Sequence, residues 1–284
     1  MLRAVVRVVF AVSCVAALAS CSKSSSSAQN YVALGDSYAA GTLTGEISGD
    51  PAGCLRSEKD YPHVVQHTLA AKAFTDVTCS SATSADLGGP QHVAGGTNPP
   101  QLDAITSSTT LVTLTIGGND IGFLSIIEHC ASLTPSGSPC KDHYTSGGTD
   151  QLSRRIAATA PKIAAVLAAV HSRAPKARIL LVGYPDLLPP GGGCWPKVPF
   201  TDADSAYLGH VELALNAMLA AQAAAGHATY VDTYTPSLGH DMCTESGVRW
   251  VEPLLPTSLA APFHPNAEGE KHMAAAVTAA IAGH

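Results

Sequence analysis

The chain has little of what would direct it to nucleic acid, a metal or a cofactor. Charged residues are 13% of its 284 positions, and acidic residues outnumber basic ones by 22 to 16. That balance argues against a binder of phosphate backbones and against electrostatic docking on anionic lipid. No C-x-x-C pair occurs among the eight cysteines, which argues against a cysteine zinc site. Gly191-Gly192-Gly193 lacks the lysine and the spacing of a phosphate loop. His63 and His67 stand at i, i+4, a spacing that can bind zinc on a helix, but Val64-Val65-Gln66 between them lacks the glutamate of a zinc protease. No metal, no cofactor and no nucleic-acid partner is expected. Beyond the N-terminus no apolar run is long enough to span a bilayer. Internal repeats are absent as well, and the chain reads as a monomer.

What is present begins with an export segment. Arg3 and Arg7 precede an apolar stretch from Val8 to Leu18, too short for a committed membrane span. Leu18-Ala19-Ser20-Cys21 resembles the lipobox of bacterial lipoproteins, in which cleavage precedes an acylated cysteine. Residues 1–20 are therefore expected to be a lipoprotein-type signal peptide, with Cys21 lipidated. Residues 21–30, including Ser24 to Ser27, form a serine-rich tether that cannot bury enough apolar surface to order itself. Membrane association is expected only through that anchor, on the outer face of the cell; the alternative is a plain signal peptide and a secreted protein. Without Arg3 and Arg7 the count is 14 basic against 22 acidic residues, a mature charge of −8. Residues 31–284, about 250 in all, suit a single large α/β domain.

Setting aside Cys14 and Cys21, six cysteines remain, and an even number in an exported chain implies disulfides. Fifteen pairings are possible. Sequential pairing, Cys54–Cys79, Cys130–Cys140 and Cys194–Cys243, encloses modest loops and is the expectation.

Apolar patterning alternates between strands and helices. Tyr31–Leu34, Thr75–Val77, Leu111–Ile116, Arg178–Gly183 and Ala228–Val231 read as strands. Tyr61–Ala73, Asp150–Ser172 and Asp202–Ala225 read as helices, and Asn266 caps a last one. The alternation predicts a parallel sheet with helices on both faces. Long Pro/Gly-rich pieces at about 41–60, 83–103, 130–149, 185–201 and 233–262 read as loops pinned by the disulfides and walling a pocket. Trp195 and Trp250 line that cleft or pack in the core.

Three separated pieces supply complementary chemistry. Ser37, in Gly35-Asp36-Ser37, follows the first strand and offers a hydroxyl nucleophile. Asn119, in Gly117-Gly118-Asn119-Asp120, offers an amide donor after another strand. His264, in Phe263-His264-Pro265-Asn266, offers a base near neutral pH.

Together these blocks resemble the SGNH, or GDSL, hydrolases, and in particular the disulfide-bearing secreted esterases and lipases of actinobacteria. The resemblance runs over residues 31–282. It implies a three-layer, flavodoxin-like α/β sandwich with a five-stranded parallel sheet, acting on small-molecule or lipid carboxylic esters without a metal. It implies Ser37 as nucleophile, His264 as base, and an oxyanion hole from the Ser37 and Ser81 N–H groups and the Asn119 amide. Acyl-chain length stays open between an esterase, a lipase or phospholipase, and a polysaccharide deacetylase; a catalytically dead binding module is a further alternative. The chain departs from the family twice. Ser81 stands where a glycine is usual, Gly88 lying less well in register. Ala261 stands where many members carry an aspartate three residues before the histidine. Because Pro262 forces Ala261 into an extended conformation, the Ala261 carbonyl is expected to orient His264, with Glu252, Asp241 and Glu245 as rival carboxylates.

Overall fold

The computed structural model describes residues 29–283. The expected signal peptide, Cys21 and most of the tether lie outside the described residues. Five strands, β1 (Asn30–Gly35), β2 (Ala73–Asp76), β3 (Leu111–Thr115), β4 (Arg178–Val182) and β5 (Thr229–Val231), form one parallel sheet. Their order is β2-β1-β3-β4-β5, with Tyr31 opposite Leu111 and Leu111 opposite Arg178. This is the doubly wound order in which the chain reverses direction between β1 and β3, opening a crevice at their carboxyl ends.

Alternate strand residues serve opposite layers. Val32, Leu34, Val112, Leu114, Ile179 and Leu181 face one core. Against them pack α5 (Gln151–Arg173) through Ile163 and Leu167, and α6 (Asp202–Ala225) through Leu215 and Leu219. Tyr31, Ala33, Leu111, Leu180 and Val182 face the second core, closed by Val65 of α1 (Tyr61–Leu69) and Met273 and Val277 of α7 (Ala267–Ala282). The long helices begin at side-chain caps: Asp60, Asp150, Thr201 and Asn266 each accept from N–H groups of the first turn. No helix among the described residues is long and apolar enough to cross a membrane.

The structure departs from the sequence expectation in several places. α1 ends at Leu69 because Ala70 takes a left-handed φ of 46°, freeing Ala73–Asp76 to pair with Asn30–Ala33 as the sheet edge. The stretch 83–103 holds α2 (Ser84–Gly88) and a small antiparallel pair, Gln91–Val93 with Gly96–Asn98. The stretch 123–145 holds α3 (Phe123–Cys130) and α4 (Pro139–Thr145). Cys54–Cys79, Cys130–Cys140 and Cys194–Cys243 are disulfide-bonded, with Cα–Cα separations of 4.2, 4.5 and 5.5 Å.

Candidate active site

The carboxyl ends of β1 and β3 are locked together before either loop begins. Gly35, at φ +144°, lies so close to β3 that a Cβ there would sit 2.5 Å from the Thr115 carbonyl. Gln101 holds the Gly35 peptide from both sides, accepting from its N–H at 2.8 Å and donating to its carbonyl at 3.0 Å. Asp36 N–H then donates to Thr115 O at 2.9 Å. Its carboxylate accepts from Tyr38 N–H at 3.0 Å and from the Tyr184 hydroxyl at 2.6 Å. Burial nonetheless pushes the Asp36 carboxyl up to about 7. Asp36 thus acts as a buried strut under Ser37.

Ser37 meets His264 from the other end of the chain. The Ser37 hydroxyl lies 2.7 Å from His264 Nε2. On the other side of the ring, Nδ1–H donates to the Pro262 carbonyl at 2.7 Å. A carbonyl oxygen can only accept, so this bond assigns the proton to Nδ1 and leaves Nε2 free to accept from Ser37. The carbonyl expected to orient the ring was that of Ala261. It instead accepts the His264 backbone N–H at 3.2 Å, closing a tight turn, so the next carbonyl along reaches the ring.

None of the rival carboxylates touches His264. Glu252 accepts from Arg249, Thr257 and Asn266; Asp241 accepts from Cys243 N–H; the Glu245 side chain is 90% exposed beside Lys197. With no anion to stabilise imidazolium, burial lowers the His264 pKa to about 4, partly opposed by the Pro262 carbonyl. The ring leans on Tyr38, with centroids 4.9 Å apart, and meets the edge of Phe123 at 5.9 Å.

Asn119 follows β3 through Gly117, at φ +119°, and Gly118. One hydrogen of its amide donates to Ala82 O at 2.9 Å, which leaves the second for a ligand. The segment around Ser81 is fixed by its neighbours: Cys79 N–H donates to Gly35 O, Ser80 N–H to Cys54 O, and Ala82 N–H to Cys79 O. Ser81 takes a left-handed φ of 66°. Among the described residues the N–H groups of Ser37 and Ser81 have no hydrogen-bond partner.

Ser37 and Asn119 open onto a half-open cavity of about 90 Å³ with almost wholly apolar walls, including Ile121, Ile126, Leu188, Leu208, Val211 and Met242. Trp195 and Trp250 lie elsewhere: Trp195 donates to Ser132 O, and Trp250 is stacked between His240 and His272. Residues that the sequence reading missed complete the frame. The Tyr184 hydroxyl accepts from Gly118 N–H at 2.8 Å while donating to Asp36, bolting the β1 and β3 loops together. The Tyr38 hydroxyl donates to Phe263 O at 2.6 Å and so tethers the histidine loop to the serine loop. Tyr184 sits two residues beyond the end of β4, a strand-end position that could have drawn attention to it.

A serine hydroxyl on a neutral imidazole, beside an amide donor at the crevice of a parallel sheet, is the apparatus of a serine hydrolase. The chain matches the GDSL-like Lipase/Acylhydrolase family over residues 33–272 and belongs to it; it is a carboxylic ester hydrolase. It is 42% identical over 254 residues to Lipase 2 of Streptomyces coelicolor, covering 86% of this chain and 83% of that protein. It is 31% identical over 245 residues to a lipase of Streptomyces rimosus, with 86% and 83% covered. Among solved structures it superposes on phospholipase A1 of Streptomyces albidoflavus with a TM-score of 0.75, at 27% identity, covering 89% of this chain and 99% of that one. The extracellular lipase of Streptomyces rimosus gives a TM-score of 0.74 at 29% identity, with 89% and 100% covered.

Proposed function

We propose that the protein is an exported serine esterase working by an acyl-enzyme on Ser37, with His264 as the base. The observation that carries this is the continuous chain from the Pro262 carbonyl through Nδ1 and Nε2 of His264 to the Ser37 hydroxyl, each link 2.7 Å, at the mouth of an apolar cavity. His264 takes the Ser37 proton as the hydroxyl attacks the ester carbonyl, and returns it to the departing alkoxide. The developing oxyanion is held by the Ser37 and Ser81 N–H groups and the free hydrogen of the Asn119 amide. Water, deprotonated by His264, then releases the acid. The Pro262 carbonyl orients the ring in place of an aspartate, so the catalytic group is a dyad.

The cavity favours an aliphatic acyl group longer than acetyl. Each methylene buried contributes about 0.8 kcal/mol, roughly a fourfold gain in kcat/KM until the chain fills the space. Relatives named as lipases and a phospholipase A1 support an acyl-lipid substrate as a second reading. Hydrolysis of p-nitrophenyl acetate, butyrate and palmitate tests both. Butyrate above acetate fits the esterase, palmitate above both fits the lipase, and no turnover would leave only a binding module. Ser37→Ala should abolish turnover, on the order of 10⁶-fold; near-normal activity would rule out the mechanism. An extracellular relative and the residues preceding the domain support export, with a lipid on Cys21 as its anchor. Cys21→Ser should then release the protein from membranes, and unchanged partitioning would refute the anchor.

A further inference from the structure

Beneath the sheet edge, away from Ser37, two carboxylates are buried side by side without a matching cation. Asp60 is 0% exposed and Asp76 is largely buried, and one oxygen of each, Oδ2, has no hydrogen-bond partner. Burial pushes both carboxyls up, and repulsion from Asp60 adds to it at Asp76, which reaches about 7, with the charge of Arg56 opposing the shift at each. The nearby Arg56 guanidinium is committed elsewhere, donating to Thr78 O at 2.7 Å and to Asp50 O at 2.6 Å. A third buried carboxylate, Glu270, lies next to Asp60, with Oε2 on Tyr61 N–H and Oε1 unpartnered. Unpaired buried carboxylate oxygens are costly, and a positive charge between them is the usual remedy.

His63 faces this pair. Its Nδ1 is 2.8 Å from Asp60 Oδ1 and 3.9 Å from Asp76 Oδ2. One ligand atom each from Asp60, His63 and Asp76 lies within 4.8 Å of the others. Tetrahedral ligands at about 2.0–2.2 Å from a zinc ion stand about 3.3–3.6 Å apart, so closure requires the more distant atoms to draw in by roughly an ångström and His63 to back off Asp60 slightly.

We propose that Asp60, His63 and Asp76 form a structural site for a divalent cation of the zinc class, separate from the ester-hydrolysing centre. One imidazole and two carboxylates suit a borderline ion, with water in the fourth position. The outer contacts that orient such ligands are in place: Asp76 Oδ1 accepts from Thr78 N–H at 2.9 Å and from its hydroxyl at 2.7 Å, and Asp60 Oδ1 accepts from His63 N–H at 2.7 Å. The His63 side chain is 19% exposed, which gives the ion an entry path. His67, the partner suggested by i, i+4 spacing, is exposed and takes no part.

The three ligands come from the cap and first turn of α1 and the end of β2. Asp60 packs so closely under Gly41 that a Cβ there would lie 2.7 Å from the Asp60 Cβ. The ion would therefore staple α1 to the edge strand and stiffen the segment that follows Ser37. To bind the ion through Nδ1, the neutral His63 ring carries its proton on Nε2 instead.

The test is titration of chelator-treated full-length protein with Zn²⁺, followed by calorimetry and by the thermal unfolding midpoint, with Co²⁺ absorption as a second probe. One equivalent should bind and raise the midpoint, and His63→Gln and Asp76→Asn should each weaken binding at least tenfold. His63→Gln alters a partly exposed side chain and guards against loss of fold. Binding undiminished in both variants would place the ion on other surface histidines and overturn the proposal. No saturable binding, with metal-free Asp76→Asn melting above the wild type, would assign a shared proton instead. Ester hydrolysis by the chelated enzyme reads the Ser37 mechanism independently.

Discussion

Lowering the pH from 7 to 5 should leave most of the activity in place. On the proposed mechanism His264 is the base on Ser37, and its half-buried ring has a neutral carbonyl on Nδ1 and no carboxylate hydrogen-bonded to it. Removing water from the ring penalises the charged form, and the Pro262 carbonyl recovers only part of that, so the pKa falls to about 4. At pH 5 a histidine titrating at its ordinary value of about 6.5 is roughly 3% neutral, whereas one titrating at about 4 is roughly 90% neutral. The two cases differ by about 30-fold in active base. The assay is kcat/KM for p-nitrophenyl butyrate from pH 3.5 to 9, read where phenol and phenolate absorb equally, with fluorescence monitoring the fold. Because kcat/KM reports the free enzyme, its acid limb gives the pKa of the unliganded histidine. A limb bending at 6.5 or above would refute the argument. It would mean that an anion or bulk water reaches the ring.

Three further outcomes are expected. Stability in the presence of chelator should rise as the pH is lowered from 8 to 5, because Asp36, Asp76 and Asp186 are raised by burial to about 7. For a raised carboxyl the native state keeps protons that the unfolded chain releases, so its contribution is full below about 4 and is lost as pH rises through about 7; His264 opposes this between about 6.5 and 4, and a thermal midpoint that falls on acidification would count against the buried carboxyls. Tyr184→Phe removes the donor to Asp36 and the acceptor of Gly118 N–H, which should cost about 1–3 kcal/mol in denaturant unfolding and lower kcat more than it raises KM; unchanged kcat would show that the two loops hold without it. Thiol titration of the unfolded, unreduced domain beginning after Cys21 should find no free thiol, since six cysteines are paired, and six thiols would contradict the disulfides.

The alternation of strands and helices was legible because a parallel sheet buried on both faces leaves near-continuous apolar runs, as in Leu111–Thr115 and Arg178–Val182. Ser37, Asn119 and the segment around His264 stood out because glycines, a proline and a cap punctuate them. The acceptor on Nδ1 was not legible. Pro262 does restrict Ala261, but Phe263 takes a left-handed φ of 63°, rare for a bulky residue. That conformation turns the Ala261 carbonyl onto the His264 N–H and the Pro262 carbonyl onto the ring. It is held by Phe263 N–H on Glu252 O, by Tyr38 on Phe263 O and by Phe200 stacked on the ring at 6.0 Å. All three contacts come from residues distant in sequence, so no local pattern could have announced the turn. Asp76 escaped notice for the same reason: only the pairing of β2 with β1 brings it beside α1.

Ser81 shows how such a conformation is maintained where the family's pattern has glycine. A left-handed φ costs a serine on the order of 1 kcal/mol or more, a strain that glycine does not carry. The segment tolerates that strain because the neighbouring peptides are held from several directions. Cys79 is tied covalently to Cys54, its N–H is fixed on the last residue of β1, and Ser80 is gripped at both ends, by Cys54 O and by the Gln91 amide. Asn119 closes the arrangement by donating to Ala82 O. The same amide that offers a hydrogen to a ligand thus also holds the backbone that presents the Ser81 N–H. The two donors are therefore coupled: displacing Asn119 loosens the Ser81 segment as well as removing an amide. Ser81 holds the left-handed φ of 66° that a glycine would adopt without strain, and the direction of its N–H depends on that backbone and not on the side chain.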